Sequence, residues 1–312
     1  MITSPDEPMK IAVLGSGAMG SLYGGLLARA DCDVTLIDIW DDHVQTIRND
    51  GLSIETPDGS HRRIKMDATT DAATVDDVDL VIVFVKSTQT AEAVAEAEHL
   101  FTGADVLTLQ NGLGNPEAIA ETVPEDRVIA GVTSHGSTLR GPGRIRHAGQ
   151  GETTIGRYFT SNDDTVHSVS QALTTAGIAT DTSDDVTTHI WKKVLVNVGI
   201  NAVTALARVK NGHLANTDSG TELATAAVRE AAAVANAEGH AIGDAAESHV
   251  LSVAEQTAAN RSSMLQDIEA DQQTEIETLN GEIVRRGERH GIETPINRTL
   301  TNLVRLAETS DS

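Results

Sequence analysis

Lys10-Ile11-Ala12-Val13-Leu14-Gly15-Ser16-Gly17-Ala18-Met19-Gly20, followed further on by Val34-Thr35-Leu36-Ile37-Asp38, decides the fold of this chain. The first five residues read as a buried strand. Gly15 to Gly20 form a G-x-G-x-x-G turn that opens a helix, and Val34 to Ile37 are a second strand with an acid at its tip. Gly15 makes the tight turn, Gly17 lets a pyrophosphate approach the backbone, and Gly20 lets helix and strand pack closely. Ser16, Ala18 and Met19 complete the turn, and the free amides at the helix start would then face phosphate. A glycine turn alone is a weak signal. Here a strand precedes it, a helix follows it, and Asp38 arrives at the spacing of about 20 residues that a ribose-binding acid requires. The stretch therefore predicts dinucleotide binding.

Past Asp38, helical and strand patterns keep alternating. Continuous apolar runs at 79–85, 106–109 and 127–132 read as strands covered on both faces. Shorter strands at 153–155 and 178–182 bracket a helix around 166–176. This predicts a Rossmann-type, doubly wound parallel sheet over residues 10–182. From 183 to 308 the pattern is all-helical, with amphipathic stretches at 184–206, 220–238, 244–260, 265–290 and 295–308. Residues 1–9 and 309–312 are expected to be flexible tails.

The 312 residues carry 46 Asp plus Glu against 23 Lys plus Arg, a formal charge of −23. Such a surface repels nucleic acid and anionic membranes, so neither is an expected partner. Aromatic residues are only 2% of the chain. Excess acid, few lysines and a lean core suggest a high-salt cytoplasm. At about 1 M salt the Debye length falls to roughly 3 Å, which screens most of the self-repulsion. Cys32 is the single cysteine, so no intrachain disulfide forms, and the 11 histidines show no metal-ligand spacing. Residues 1–9, with Asp6, Glu7 and two prolines, do not read as a signal peptide. Unbroken apolar runs such as Leu80 to Val85 are far short of a membrane span. A soluble cytoplasmic enzyme acting on a small molecule is expected; its oligomeric state is open, a homodimer included.

Reacting groups in open α/β sheets gather beyond the carboxyl ends of the strands. Lys86 follows one apolar strand and Gln110-Asn111-Gly112-Leu113-Gly114 follows another. Lys86 could offer charge to a cofactor, and Asn111 could bridge nicotinamide ribose and substrate. Equally, the first could be a solvated lysine and the second a simple Asn-Gly turn. The sharper anomaly is 190–210, where no Asp or Glu occurs in this acidic chain. That helix should be buried nearly all round, yet Lys193, Asn197 and Asn201 recur at i, i+4 and i+8. Buried amides and an ammonium cost free energy unless partnered, so this stripe reads as the lining of a cleft. Glu275 lines up with Asp267 and Asp271 on a helical reading of 265–290, which by periodicity alone makes it a solvated acid.

Taken together, Gly15-x-Gly17-x-x-Gly20, Lys86, Asn111-Gly112-Leu113-Gly114, Trp191-x-Lys193-x-x-x-Asn197-x-x-x-Asn201, Asn211-Gly212 and Ser262-Ser263-Met264-Leu265-Gln266-Asp267 resemble the ketopantoate reductases (2-dehydropantoate 2-reductases) in order, across nearly the whole chain. The resemblance implies reduction of the 2-keto group of ketopantoate to pantoate, on the route to pantothenate and coenzyme A. It implies that Lys193 is the catalytic general acid and that Asn197, Asn201, Asn211 and Ser263 bind substrate. It further implies that Glu275 holds the substrate hydroxyl, and that Lys86 and Asn111 belong to the cofactor cleft. A developing alkoxide needs such a proton donor beside it.

One departure concerns the cofactor. Family members using NADPH carry a base just after the second strand, whereas Asp38-Ile39-Trp40-Asp41-Asp42 has none. Asp38 is placed to bond a free 2′-hydroxyl, which favours NADH with NADPH as the alternative. Two other readings compete: a reductase of the same fold acting on another 2-oxo acid, and a dinucleotide-sensing regulator without chemistry.

Overall fold

In the computed structural model, residues 8–309 are described, so the expected tails at 1–9 and 309–312 lie outside the described residues but for Pro8, Met9 and Thr309. The chain forms two compact units. The first comprises the residues up to Gln110 together with Asn115–Val186; the second comprises Asn111–Gly114 and the residues from Thr187 onward.

The first unit runs β1 (Lys10–Leu14), α1 (Ala18–Arg29), β2 (Asp33–Ile37), α2 (Asp41–Asp50), β3 (Leu52–Glu55), β4 (His61–Ile64), β5 (Asp67–Thr69), β6 (Leu80–Val83), α3 (Thr90–Glu96), β7 (Asp105–Thr108), α4 (Asn115–Ala120), β8 (Val128–Thr133), β9 (Gly136–Gly141), β10 (Arg144–Gly149), β11 (Thr153–Arg157), α5 (Asp164–Thr175) and β12 (Thr180–Thr182). Its main sheet has the order β12-β11-β8-β7-β6-β1-β2-β5. Neighbours are parallel except β8 and β11. Ile11 lies between Val34 of β2 and Leu80 of β6, so β1 is central. Alternate residues of these strands enter opposite cores: Ile11 and Val13 join Leu36 and Ile82, while Ala12 and Leu14 join Val81 and Val83. Burial on both faces is what a continuous apolar run encodes. The strand order reverses at β1, where β2 lies on one side and β6 on the other, so the crevice falls at the tip of β1.

A second sheet, with the order β4-β3-β10-β9, is an addition to the expected alternation. It is made of two hairpins joined by parallel pairing of β3 with β10. Its outer strands are weakly apolar: His61-Arg62-Arg63-Ile64 holds no fully buried residue, and neither does Gly136–Gly141. The apolar periodicity that marks a strand is therefore missing from both. α1 has eight consecutive buried residues, Gly20 to Leu27.

The second unit is helical: α6 (Val186–Ala207, beginning one residue inside the first unit), α7 (Gly212–Asn216), α8 (Asp218–Ala237), α9 (Ala246–Gln256), α10 (Ser263–Glu269), α11 (Asn280–His290) and α12 (Pro295–Glu308). Among the described residues α6 alone is long and apolar enough to cross a membrane, and most of it is buried inside the protein. Apolar residues on successive turns, not one unbroken run, give it that length. Pro295 opens α12 at a position whose amide needs no partner. The next amides, of Ile296 and Asn297, both donate to the Glu230 carboxylate of α8 at 2.9 Å.

The helix expected over 265–290 is broken. α10 ends at Glu269 with Asp271 in the left-handed region (φ 51°). The Gln272 amide donates back to the Asp267 carbonyl at 2.9 Å. This is a Schellman-type stop built on aspartate, which tolerates that backbone better than most residues. With no glycine or proline to mark it, the apolar spacing runs on across the break. Glu275 consequently stands on a connection, not in line with Asp267 and Asp271 on one helix.

Candidate active site

In the first unit, the turn after β1 is pressed against the end of β6. A Cβ on Gly15 (φ 94°) would lie 2.5 Å from the Val85 nitrogen. A Cβ on Gly20 would lie 1.9 Å from the Gly15 carbonyl oxygen, so glycine there lets the turn close over its own helix. Gly17 is exposed, with no atom within 4 Å of where its Cβ would be. No side chain caps the start of α1. An uncapped helix start beneath open space suits a phosphate, because its amide donors and positive dipole end lack a protein partner. Ala18 and Met19, in the first turn, are half-buried.

Asp38 closes this turn. Its Oδ2 accepts from the Ser16 amide at 2.7 Å and the Ser16 hydroxyl at 3.2 Å, while Oδ1 accepts from the Trp40 amide at 3.0 Å. A carboxylate offers about four acceptor positions. The one remaining on Oδ1 can take a hydroxyl proton but has nothing to give a phosphate. Lys86 is exposed beyond β6 and begins a short turn at Ser87–Gln89. Gln110, beyond β7, donates to the Val85 carbonyl at 2.6 Å and thereby ties the two strand ends together.

In the second unit, α6 carries Lys193 and Asn197, both half-buried, and Asn201, which is buried. Burial pushes the Lys193 ammonium down to about 8, and the Glu275 charge acts in the opposite direction. Glu275 Oε2 accepts from Asn111 Nδ2 at 3.0 Å. That contact has a local cause: the Leu113 amide donates to the Thr278 carbonyl at 2.8 Å, and a Cβ on Gly112 would strike Thr278 at 2.6 Å. The Asn-Gly turn thus packs against the connection carrying Glu275.

Ser262 caps α10 by accepting from the Leu265 amide at 3.1 Å, and its hydroxyl meets Thr204 of α6 at 2.7 Å. This anchors exposed Ser263 beside Asn201, with Nδ2 to Oγ at 3.5 Å. Asn211 Nδ2 donates to Thr257 at 3.0 Å, and its buried Oδ1 has no hydrogen-bond partner among the described residues.

The structure thus groups Ser16 with Asp38, Asn111 with Glu275, Glu275 with Lys193 electrostatically, and Asn201 with Ser263. Asn211 stands apart from these pairs, bonded to α9's C-cap residue Thr257. Sequence reasoning passed over His43, Ser21 and Thr278. Only the i, i+3 spacing of Trp40 and His43 could have signalled the first of these. Among the described residues no group of three or more His, Cys, Asp or Glu is placed to hold a metal.

A dinucleotide-type turn on a doubly wound sheet, with a lysine of lowered basicity among amides on a helical unit, defines an oxidoreductase of the nicotinamide-dependent class. Residues 11–159 match the family described as Ketopantoate reductase PanE/ApbA, and residues 185–308 match Ketopantoate reductase PanE/ApbA C terminal. The chain belongs to the ketopantoate reductase family. A curated 2-dehydropantoate 2-reductase of Halobacterium salinarum is 46% identical over 300 residues, covering 96% of this chain and 99% of that protein. The crystal structure of a PanE/ApbA family ketopantoate reductase from Ralstonia eutropha JMP134 is 36% identical, with a TM-score of 0.88, covering 96% of this chain and 98% of the other. The ternary structure of D-mandelate dehydrogenase with NADH and anilino(oxo)acetate is 30% identical, with a TM-score of 0.90, covering 97% and 99%.

Proposed function

We infer that this chain is a 2-dehydropantoate 2-reductase that reduces the keto group of ketopantoate to the hydroxyl of pantoate. The observation that carries the mechanism is Lys193, a partly buried lysine whose ammonium titrates near 8 beside Glu275. A general acid works best with a pKa near the operating pH, where it is both protonated and willing to release its proton. A nicotinamide cofactor held by the Gly15–Gly20 turn and Asp38 would supply the hydride that the keto carbon takes. Lys193 gives the carbonyl oxygen a proton as negative charge develops there, then regains one from water. Asn197, Asn201, Asn211 and Ser263 hold the keto acid with neutral donors and acceptors. Glu275, steadied by Asn111, accepts a hydrogen bond from the substrate hydroxyl and so holds it.

The Gly15–Gly20 turn takes the pyrophosphate and Asp38 the ribose. NADH is the preferred cofactor, because the free acceptor position on Asp38 suits a 2′-hydroxyl and three carboxylates at 38, 41 and 42 repel a 2′-phosphate. Lys86 and Asn111 contribute to the nicotinamide end. The working divisions are residues 10–182 for dinucleotide binding and 183–308 for substrate binding and proton transfer.

The D-mandelate dehydrogenase likeness favours one competing reading, reduction of a different 2-oxo acid. Steady-state rates with ketopantoate and with phenylglyoxylate, the keto acid of mandelate, separate the two. The expected result is a higher kcat/KM for ketopantoate, with pantoate as product. Preference for the aryl keto acid overturns the assignment.

A further inference from the structure

We propose that Trp40, backed face to face by His43, is the platform on which the purine ring of the dinucleotide stacks, and that His43 is the positioning residue that fixes this platform to the glycine turn. The proposal rests on the reading that the Gly15–Gly20 turn and Asp38 bind a dinucleotide, and it assigns residues to a part of the ligand that turn and acid leave untouched.

Trp40 follows Asp38 by two residues and caps the start of α2. Its indole lies over the His43 imidazole, with centroids 5.1 Å apart and planes 17° from parallel. The imidazole is fully buried, while the indole is 38% exposed. The chain has two tryptophans, and the other, Trp191, is buried in the second unit. A part-exposed aromatic two residues beyond the ribose acid, with one face on a buried imidazole, is positioned to receive the base joined to that ribose.

The hydrogen bonds of His43 assign its tautomer. The Ser21 hydroxyl has one proton, and it goes to the Ser16 carbonyl at 2.6 Å. Ser21 Oγ, 3.2 Å from His43 Nε2, therefore accepts there, and Nε2 carries the proton. Nδ1 accepts from the Gly143 amide at 3.1 Å. Both ring nitrogens are thus used, one toward the β9–β10 turn and one toward the dinucleotide turn. Ser16 in turn donates to Asp38, and Asp38 accepts from the Trp40 amide. The Trp40 backbone, ribose acid and phosphate turn form one hydrogen-bonded unit, and the imidazole stacked on the indole is held at both of its nitrogens.

Recognition by stacking also suits this surface. In molar salt the Debye length is roughly 3 Å, which weakens charge-based grip, whereas the contact between two flat rings does not depend on charge. Aromatic stacking tolerates any base and is worth about 1–3 kcal/mol per base, equivalent to about 5- to 150-fold in affinity.

The test is fluorescence titration of the full-length protein in molar KCl with NADH and with reduced nicotinamide mononucleotide, which has no purine. Wild type is compared with Trp40→Ala, Trp40→Phe and His43→Ala. Trp40 lies at the surface, so its variants are informative even if the buried His43 variant fails to fold. Trp40→Ala should raise the NADH Kd about tenfold, within the stacking range, while the mononucleotide Kd moves by less than about twofold. Trp40→Phe should restore most of the NADH affinity, and a folded His43→Ala should resemble Trp40→Ala. NADH affinity unchanged in Trp40→Ala, or an equal loss for both ligands, overturns the platform. A wild type that binds neither ligand instead overturns the dinucleotide reading beneath it.

Discussion

At the scale of single residues, the chemistry turns on how surroundings retune ordinary side chains. Burial lowers the Lys193 ammonium to about 8 against the pull of Glu275. On the proposed mechanism Lys193 acts only when protonated, so kcat with ketopantoate should be level below that value and fall as pH rises through about 8. A kcat profile from pH 6 to 10 in fixed salt checks this, and a flat alkaline limb would remove the ammonium from the rate-limiting step. Asp38 makes the second residue-scale prediction. NADH should exceed NADPH in kcat/KM under matched salt. Asp38→Ala combined with Ile39→Arg should shift the preference toward NADPH, since Ile39 is 86% exposed and an arginine fits there without repacking. Glu275→Gln should raise the KM for ketopantoate more than it lowers kcat, because its loss weakens the grip on a hydroxyl remote from hydride transfer.

At the scale of elements, what was legible depended on whether burial left a periodic trace. β1, β2, β6, β7 and β8 are covered on both faces, so their apolar runs announce them. β4 and β9 have no such face, and the second sheet went unseen for that reason. On α6 the polar stripe was legible because the rest of the helix is apolar. The position of Glu275 was not, because the stop after α10 uses Asp271 where glycine is the usual sign. The pairing of Asn111 with Glu275 spans 164 residues and rests on the packing of Gly112 against Thr278, which no local pattern encodes. A buried imidazole pair joins β10 of the unseen sheet to the connection between β8 and β9. His135 Nδ1 and His147 Nε2 lie 3.1 Å apart, with rings stacked at 5.3 Å. Burial holds both below the ordinary imidazole range, and the charge of His147 lowers His135 further. Burial likewise lowers His43, with Asp38 opposing it. The unfolded chain therefore takes up protons first as pH falls below about 6.5. The stability these groups allow is fully present above that value and is lost as pH falls through the folded-state values. Thermal unfolding from pH 8 to 5 should show Tm declining below about 6.5, and His135→Gln with His147→Gln should flatten the decline.

At the scale of the whole molecule, the surface charge sets the conditions under which everything else can be read. A formal charge of −23 on 312 residues is strongly self-repulsive in dilute buffer. The acidic composition agrees with a relative from Halobacterium salinarum. Tm and activity should both rise with KCl toward molar concentration, where charges more than about 3 Å apart are screened. A Tm independent of salt would return the acidic surface to an ordinary solvated one. Activity measurements on variants therefore belong in molar KCl, where a lost rate reports chemistry and not unfolding. The most direct test of the whole account is made there: ketopantoate-dependent oxidation of NADH by Lys193→Ala beside wild type, with NADH affinity titrated on both. The account predicts kcat lower by about 10²- to 10⁴-fold, the range for a general acid, with the NADH Kd nearly unchanged. Near-normal turnover in Lys193→Ala would contradict it and leave the polar stripe of α6 a structural feature of that helix.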